Sequence, residues 1–250
     1  MHVTVYKTPK IQPNDDIYKI LDTCLPSLQE NSVVVVTSKI VGLCEGNVVK
    51  DDGSVTKEDL VPKEADWYVG DEYPAPYGTI SIKNNILCLN AGIDESNVAG
   101  YFALWPKDPY ASAQTIWEYV RKKHKVQHLG VVISDSHIVP LRWGVRGVCL
   151  AYCGFNGLNV YIGKPDIFGK PLKSTRAGIL DGLASAAVMV MGEGNEQTPL
   201  AVITDVPFVQ FTGHPPTKKE LQNMEITRKD DIYGSLLEAV RWKKGGSGAC

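Results

Sequence analysis

The stretch SVVVVTS, Ser32 to Ser38, places four β-branched residues in a row with no polar interruption. A strand with one wet face alternates apolar and polar positions, so a continuous run predicts a strand covered on both faces. LGVVISDS (129–136) reads the same way, and PLAVIT (199–204) adds a further strand. His2 to Thr8 alternates as a strand, and ISIKNNILCLN (80–90) reads as a hairpin turning at Lys83 to Asn85.

Helical spacing appears in three places. A helix from about Asp15 to Cys24 takes Asn14 or Asp15 as cap. In DPYASAQTIWEYVRKKH (108–124), Ala113, Ile116, Trp117 and Val120 fall on one face, with Asp108 at the start and a basic end. From Ile179 to Met191, Leu180, Leu183, Ala184, Ala187 and Met191 form an apolar stripe that stops at Gly192 or Gly194. DIYGSLLEAVRW (231–242) suggests a closing helix. Strands and helices intermix without a regular βαβ rhythm. The expected architecture is therefore α+β, mixed sheets with packed helices in two interleaved lobes, as a single unit over 1–244 with a flexible tail at 245–250.

At 250 residues and 44% hydrophobic content the chain can bury an ordinary core without staples. Twenty-six Lys and Arg against 28 Asp and Glu give a net charge of −2, so no bulk field draws nucleic acid or an anionic membrane. An anionic ligand must be held locally. The six cysteines lack zinc-type spacing and read as reduced, and the five histidines form no HExxH cluster. No apolar run approaches the ~20 residues that span a bilayer, and the polar start lacks a signal peptide's apolar region. A cytoplasmic location is expected.

Three acids punctuate rigid elements: Asp94 after ILCL, Asp135 after LGVVIS, and Glu193 after the helix ending at Met191. In NAGIDESN (90–97) the crowding of Asp94, Glu95, Ser96 and Asn97 is a turn composition, and equally a set of oxygens suited to a hard cation. Carboxylates at such ends can converge on a divalent ion, with the Ser136 hydroxyl as an added ligand. MGEGNEQ (191–197) is a helix cap with a polar loop, or exposed amides able to bind phosphate. Ser38 and Lys39 follow SVVVV, where the lysine is solvated or neutralises phosphate charge. Walker and GxGxxG signatures are missing: Gly163-Lys164 is followed by Pro165.

In this order, SKIVGLCEG, LCLNAGIDESNV, WPKDPYASA, VVISDS with LRWGVRGV, YIGKPDIFGKPL and LASAAVMVMGEG resemble the CofE-like family, γ-glutamyl ligases that join glutamate to the deazaflavin precursor F420-0; TPKIQPNDD also fits. The resemblance implies that Asp94, Asp135, Ser136 and Glu193 bind a divalent metal. It also implies that Ser38, Lys39, Asn97 and the Met191, Gly192, Glu193, Gly194, Asn195 loop hold GTP, with Thr8, Pro9, Lys10 and Ile11 contributing. An α+β fold, an intertwined homodimer, magnesium or manganese and a monovalent cation such as potassium are further implications. Leu43, Trp143 and Gly182 depart from the pattern of the coenzyme ligases. The segment after Ala201, with VPFVQFTGHPPTKKELQNMEI, more closely resembles a branch assigned to folate metabolism.

The expected reaction is therefore a GTP- or ATP-dependent joining of L-glutamate to the carboxylate of a folate-type glutamyl tail through an acyl phosphate. Lys39 and Arg142 are its candidate catalytic cations, Arg142 as a planar fork for carboxylate or phosphate. The alternatives are an F420-0 ligase proper, a metal-dependent phosphatase or nucleotidase built on the same acids, and a nucleotide-binding protein without turnover.

Overall fold

The computed structural model describes residues 1–248; Ala249 and Cys250 lie outside the described residues. Its strands are β1 (His2–Tyr6), β2 (Ser32–Thr37), β3 (Val48–Lys50), β4 (Trp67–Val69), β5 (Ile80–Lys83), β6 (Ile86–Leu89), β7 (Tyr101–Ala103), β8 (Leu129–Ile138), β9 (Val145–Cys153), β10 (Leu158–Val160), β11 (Arg176–Gly178), β12 (Leu200–Thr204) and β13 (Trp242–Lys244). The helices are α1 (Ile17–Cys24), α2 (Ser38–Cys44), α3 (Lys57–Glu64), α4 (Pro109–His124), α5 (Ile179–Met191), α6 (Lys218–Gln222) and α7 (Gly234–Leu237). The fold is α+β, as expected.

SVVVVTS forms β2 at the centre of a five-stranded sheet in the order β1-β12-β2-β8-β9. Side chains alternate along a strand, so its four valines divide between two faces. Val34 and Val36 join Leu21 of α1, Val41 of α2 and Ile116, Trp117 and Val120 of α4. Val33 and Val35 join Leu183, Ala184, Ala187, Val188 and Met191 of α5 on the other side. All four are fully buried. The unbroken β-branched run is thus the signature of a strand with no wet face.

The register of this sheet decides where the chemistry can go. β2 and β8 run parallel with Thr37 beside Ser134, so Ser38-Lys39 and Asp135-Ser136 emerge at one edge. β12 is antiparallel to β2 and begins with Leu200 beside Val36, which brings the loop before it to the same edge. β1 pairs Tyr6 with Leu200, and Thr8 donates its amide to the Gln197 carbonyl at 3.0 Å, so the Thr8–Ile11 segment arrives there too.

A second lobe contains the sheet β13-β4-β5-β6, the β3–β7 ribbon and α3. Its core gathers Leu60, Val61, Ala91, Ile93, Phe102 and Leu104. The expected hairpin is β5–β6, and its turn residues Asn84 and Asn85 have φ of 50° and 58°, the left-handed pair that a tight hairpin demands. β10 and β11 form a separate arm that carries Ile167 and Phe168 exposed at its tip.

Several local expectations are corrected. Asp16, not Asn14 or Asp15, caps α1, accepting from the Tyr18 and Lys19 amides; Asp15 instead accepts from the Gln12 amide at 2.7 Å. DIYGSLLEAVRW is helical only over Gly234–Leu237. Trp242 leaves to pair with Val69 in β13, and its ring and that of Trp67 hold the Arg228 guanidinium at 5.4 and 4.7 Å. Tertiary pairing outweighs the weak propensity of a short helix. Residues 245–248, expected within a mobile tail, donate amides to Asp66, Pro62, Ala65 and Lys63 carbonyls at 2.9–3.0 Å. Five cysteines, Cys24, Cys44, Cys88, Cys149 and Cys153, are free thiols, and Cys250 lies outside the described residues. Among the described residues no helix is long and apolar enough to cross a membrane.

Candidate active site

Lys39 stands in the first turn of α2, directly after β2. Its Nζ lies 2.7 Å from Asp94 Oδ2 and donates to the Ser96 carbonyl at 3.0 Å and Ser96 Oγ at 3.1 Å. Asp94 Oδ1 in turn accepts from the Ser96 amide at 2.7 Å and its hydroxyl at 2.8 Å. Burial pushes the Asp94 carboxyl up, but Lys39 and Ser96 together hold it below its usual range.

The loop presenting Asp94 is tightly wound. Asn90, Ala91, Asn97 and Ala99 all adopt left-handed backbone, with φ between 51° and 58°. Such conformations cost a non-glycine residue roughly 1–2 kcal/mol each and persist where surrounding contacts impose them. Those contacts are present: the Ala91 amide donates to Ser81 Oγ at 2.8 Å, Asn90 Oδ1 accepts from the Thr79 amide at 2.8 Å, and Asp94 exchanges both backbone bonds with Ala103.

Asp135 lies inside β8, opposite Val148 of β9 and one residue beyond the last pair of β8 with β2. Burial raises its carboxyl to about 6; the Trp105 indole and the Ser136 amide oppose the rise, Asp94 adds to it and Lys39 counters it. Glu193 is also raised, first by desolvation, with the negative charges of Asp94 and Glu196 adding and the Ser136 hydroxyl and Lys39 opposing. The charges of Asp94 and Lys39 thus reach both Asp135 and Glu193. Asn97 Nδ2 donates to the Gly194 carbonyl at 3.1 Å, tying the 90s loop to the loop after α5.

All three acids, Ser136 and Lys39 therefore meet at one edge, together with Ser38, Asn97 and the Gly192–Asn195 loop. The side chain of Met191 is spent on the core under α5, leaving its backbone and those of Gly192, Glu193, Gly194 and Asn195 at the site. Thr8 is buried beside Gln197, Pro9 and Lys10 are exposed, and Ile11 packs against Leu43 and Val98. Arg142 is different: it is exposed between Leu141 and Trp143, and its side chain forms no hydrogen bond or ion pair among the described residues.

The donor set is all oxygen, three carboxylates and a hydroxyl, which suits a hard divalent cation and not a soft one. A cation would relieve the rise that the Asp94 charge adds at Asp135 and Glu193. Among the described residues no three of His, Cys, Asp or Glu already stand at ligand spacing, and the Lys39 ammonium supplies the positive charge against Asp94.

Sequence reasoning missed Trp105 and Gly92. Trp105 Nε1 donates to Asp135 Oδ2 at 2.5 Å, and the ring lies so close to Gly92 that a Cβ there would stand 2.1 Å from it. No local pattern announces this contact, because the partners are 30 residues apart.

Comparison with known proteins places the chain in a family. Residues 6–205 match the family described as F420-0:Gamma-glutamyl ligase. The coenzyme F420:L-glutamate ligase of Haloarcula marismortui is 33% identical over 225 residues, covering 82% of this chain and 87% of the relative. The protein of the same name from Methanococcus maripaludis is 30% identical over 90% of this chain and 96% of the relative, and that of Methanosarcina acetivorans 28% over 92% of each. With most of its length matched, the chain belongs to the F420-0:gamma-glutamyl ligase family of acid–amino-acid ligases.

Proposed function

We propose that this protein joins L-glutamate to the carboxylate of a deazaflavin precursor of the F420-0 type, with a nucleoside triphosphate, GTP or ATP, activating that carboxylate. The observation that carries the reading is the meeting of Asp94, Asp135, Glu193 and Lys39 at the carboxyl edge of parallel strands, a usual ligand position in such sheets. The relatives' names favour a deazaflavin acceptor over the folate-type acceptor expected from the C-terminal segment.

A carboxylate is a poor electrophile, so amide formation in water requires activation. In the proposed course the acceptor carboxylate takes the γ-phosphoryl group, releasing the nucleoside diphosphate. The glutamate amine then attacks the acyl carbon, phosphate leaves with the former carboxylate oxygen, and the amine loses a proton. Asp94, Asp135, Glu193 and Ser136 would hold magnesium or manganese, which when bound offsets phosphate charge. Lys39, already among these acids, presents a mobile positive charge to phosphoryl oxygens. The Gly192–Asn195 backbone, anchored through Asn97, offers amides to the nucleotide. A potassium ion as a further aid belongs to the same proposal. So does a homodimer, supported by the exposed Leu141, Trp143, Ile167 and Phe168.

The test is to incubate the protein with GTP or ATP, magnesium or manganese, L-glutamate and either F420-0 or a folate, and to follow product mass. A glutamyl adduct of F420-0 with matching nucleoside diphosphate is expected. Nucleotide hydrolysis unaffected by glutamate and acceptor, with no amide product, would overturn the reading.

A further inference from the structure

Asp135 is held by a residue that belongs to neither its strand nor the acid cluster. Trp105 is 2% exposed and fixed on every side. Its carbonyl accepts from Asn47 Nδ2 at 2.7 Å, and the absence of a side chain at Gly92 lets the ring lie against backbone. The Lys83 ammonium sits 5.8 Å from the ring centre and is itself clamped to Glu64 at 2.6 Å. On the same edge of the ring that lies against Gly92, the indole N–H meets Asp135 Oδ2 at 2.5 Å. A tryptophan could fill this space for packing alone, but then its only polar atom would not have to face a carboxylate. It points at the one acid of the site on the central sheet, from the segment joining β7 to α4, with its ring in the main core and against Gly92 and Lys83 of the second lobe.

We infer that Trp105 is a positioning residue: its indole N–H locks the Asp135 carboxylate in the orientation from which it serves as a metal ligand, and so couples the second lobe to the metal site. The inference rests on the reading of Asp135 as a ligand. Hydrogen-bonding partners of ligating groups commonly contribute ten- to hundredfold to metal affinity. A carboxylate freed from its donor must be ordered again on each binding event.

Mn2+ affinity, measured by calorimetry without nucleotide, tests this apart from turnover. Trp105→Phe keeps a ring against Gly92 and removes the donor; its Mn2+ dissociation constant is expected to rise about ten- to hundredfold. In an Asp135→Ala background the same change should alter affinity less than threefold, because the acceptor of the indole N–H is gone. Trp105→Phe with wild-type affinity and an intact melting transition would overturn the inference, and so would equal losses in both backgrounds. Should Asp135→Ala itself bind Mn2+ normally, the ligand reading falls first. If Trp105→Phe does not fold, the wild-type protein decides through the indole N–H resonances of its five tryptophans. The Trp105 signal must be protected from solvent exchange and move on Mg2+ addition more than that of exposed Trp143; an unmoved Trp105 signal refutes the coupling.

Discussion

The Lys39–Asp94 and Lys83–Glu64 pairs are almost equal in length and differ sharply in burial. Lys39 and Asp94 meet at 2.7 Å with side chains 25% and 40% exposed, whereas Lys83 and Glu64 meet at 2.6 Å with 8% and 9%. The first pair is partly open to solvent, with Ser96 and two further acids around it, as the proposed exchange of its partners for a cation and a phosphate requires. The second is sealed under the Trp105 ring. A pair exposed to this degree contributes about 0–1 kcal/mol, while breaking a buried one strands a charge and costs about 3–5 kcal/mol. Burial, not distance, separates the exchangeable pair from the fixed one.

The contrast can be broken by substitution. Asp135→Ala should lower turnover by roughly a thousandfold or more while the fold survives, on the scale of losing a preorganised charge; steady-state amide formation by a well-folded variant at wild-type rate would remove the acid from the site. Lys83→Met should destabilise the protein by about 3–5 kcal/mol in chemical denaturation, and adding Glu64→Leu should recover most of that loss. If Lys83→Met alone is neutral, the two pairs are not different in kind. Lys39→Met is the mirror case. Its denaturation midpoint should stay within about 1 kcal/mol of wild type, and turnover should fall about a hundredfold or more.

Acid titration sharpens the same comparison. Asp135 has a folded pKa near 6 against an unfolded value near 3.8, so the folded state binds its proton more tightly. The stability this confers is complete below pH 3.8 and is lost as pH rises through 6. Metal-free Asp135→Asn should therefore melt higher than wild type at pH 7.5, with the difference closing toward pH 4; a gap that does not change with pH would contradict the raised carboxyl. Asn97→Ala gives the smallest effect. Loss of its bond to Gly194 should weaken nucleotide binding about fivefold, near the 1 kcal/mol of one such bond, as equilibrium dialysis would register.

Much of the fold was legible because its signals are local. Four valines in a row forecast a doubly covered strand, Asp108 and a basic end marked α4, and Gly192 stopped α5 where the stripe ended. The closing helix was misread because pairing of Trp242 with Val69 lies more than 170 residues away in sequence. Asp94 and Glu193 were visible as candidates at element ends, and so was the polar loop after α5, whereas Asp135, expected at the end of its strand, lies inside β8, which continues to Ile138 through its pairing with β9. Arg142, a basic residue in a matching motif, stands exposed without a bond to the acid cluster among the described residues.

Composition and periodicity alone established an α+β chain with a two-faced central strand, and motif order alone pointed to a ligase family. Only the register of β2 against β8 and β12 put Lys39, Asp135 and the Gly192–Asn195 loop at one edge, and only the packing of Gly92 against Trp105 aimed the indole at Asp135. Periodicity reports which face of an element is wet, a property of near neighbours. Convergence of charges depends on long-range pairing, whose partners are chosen by packing and burial across the whole chain.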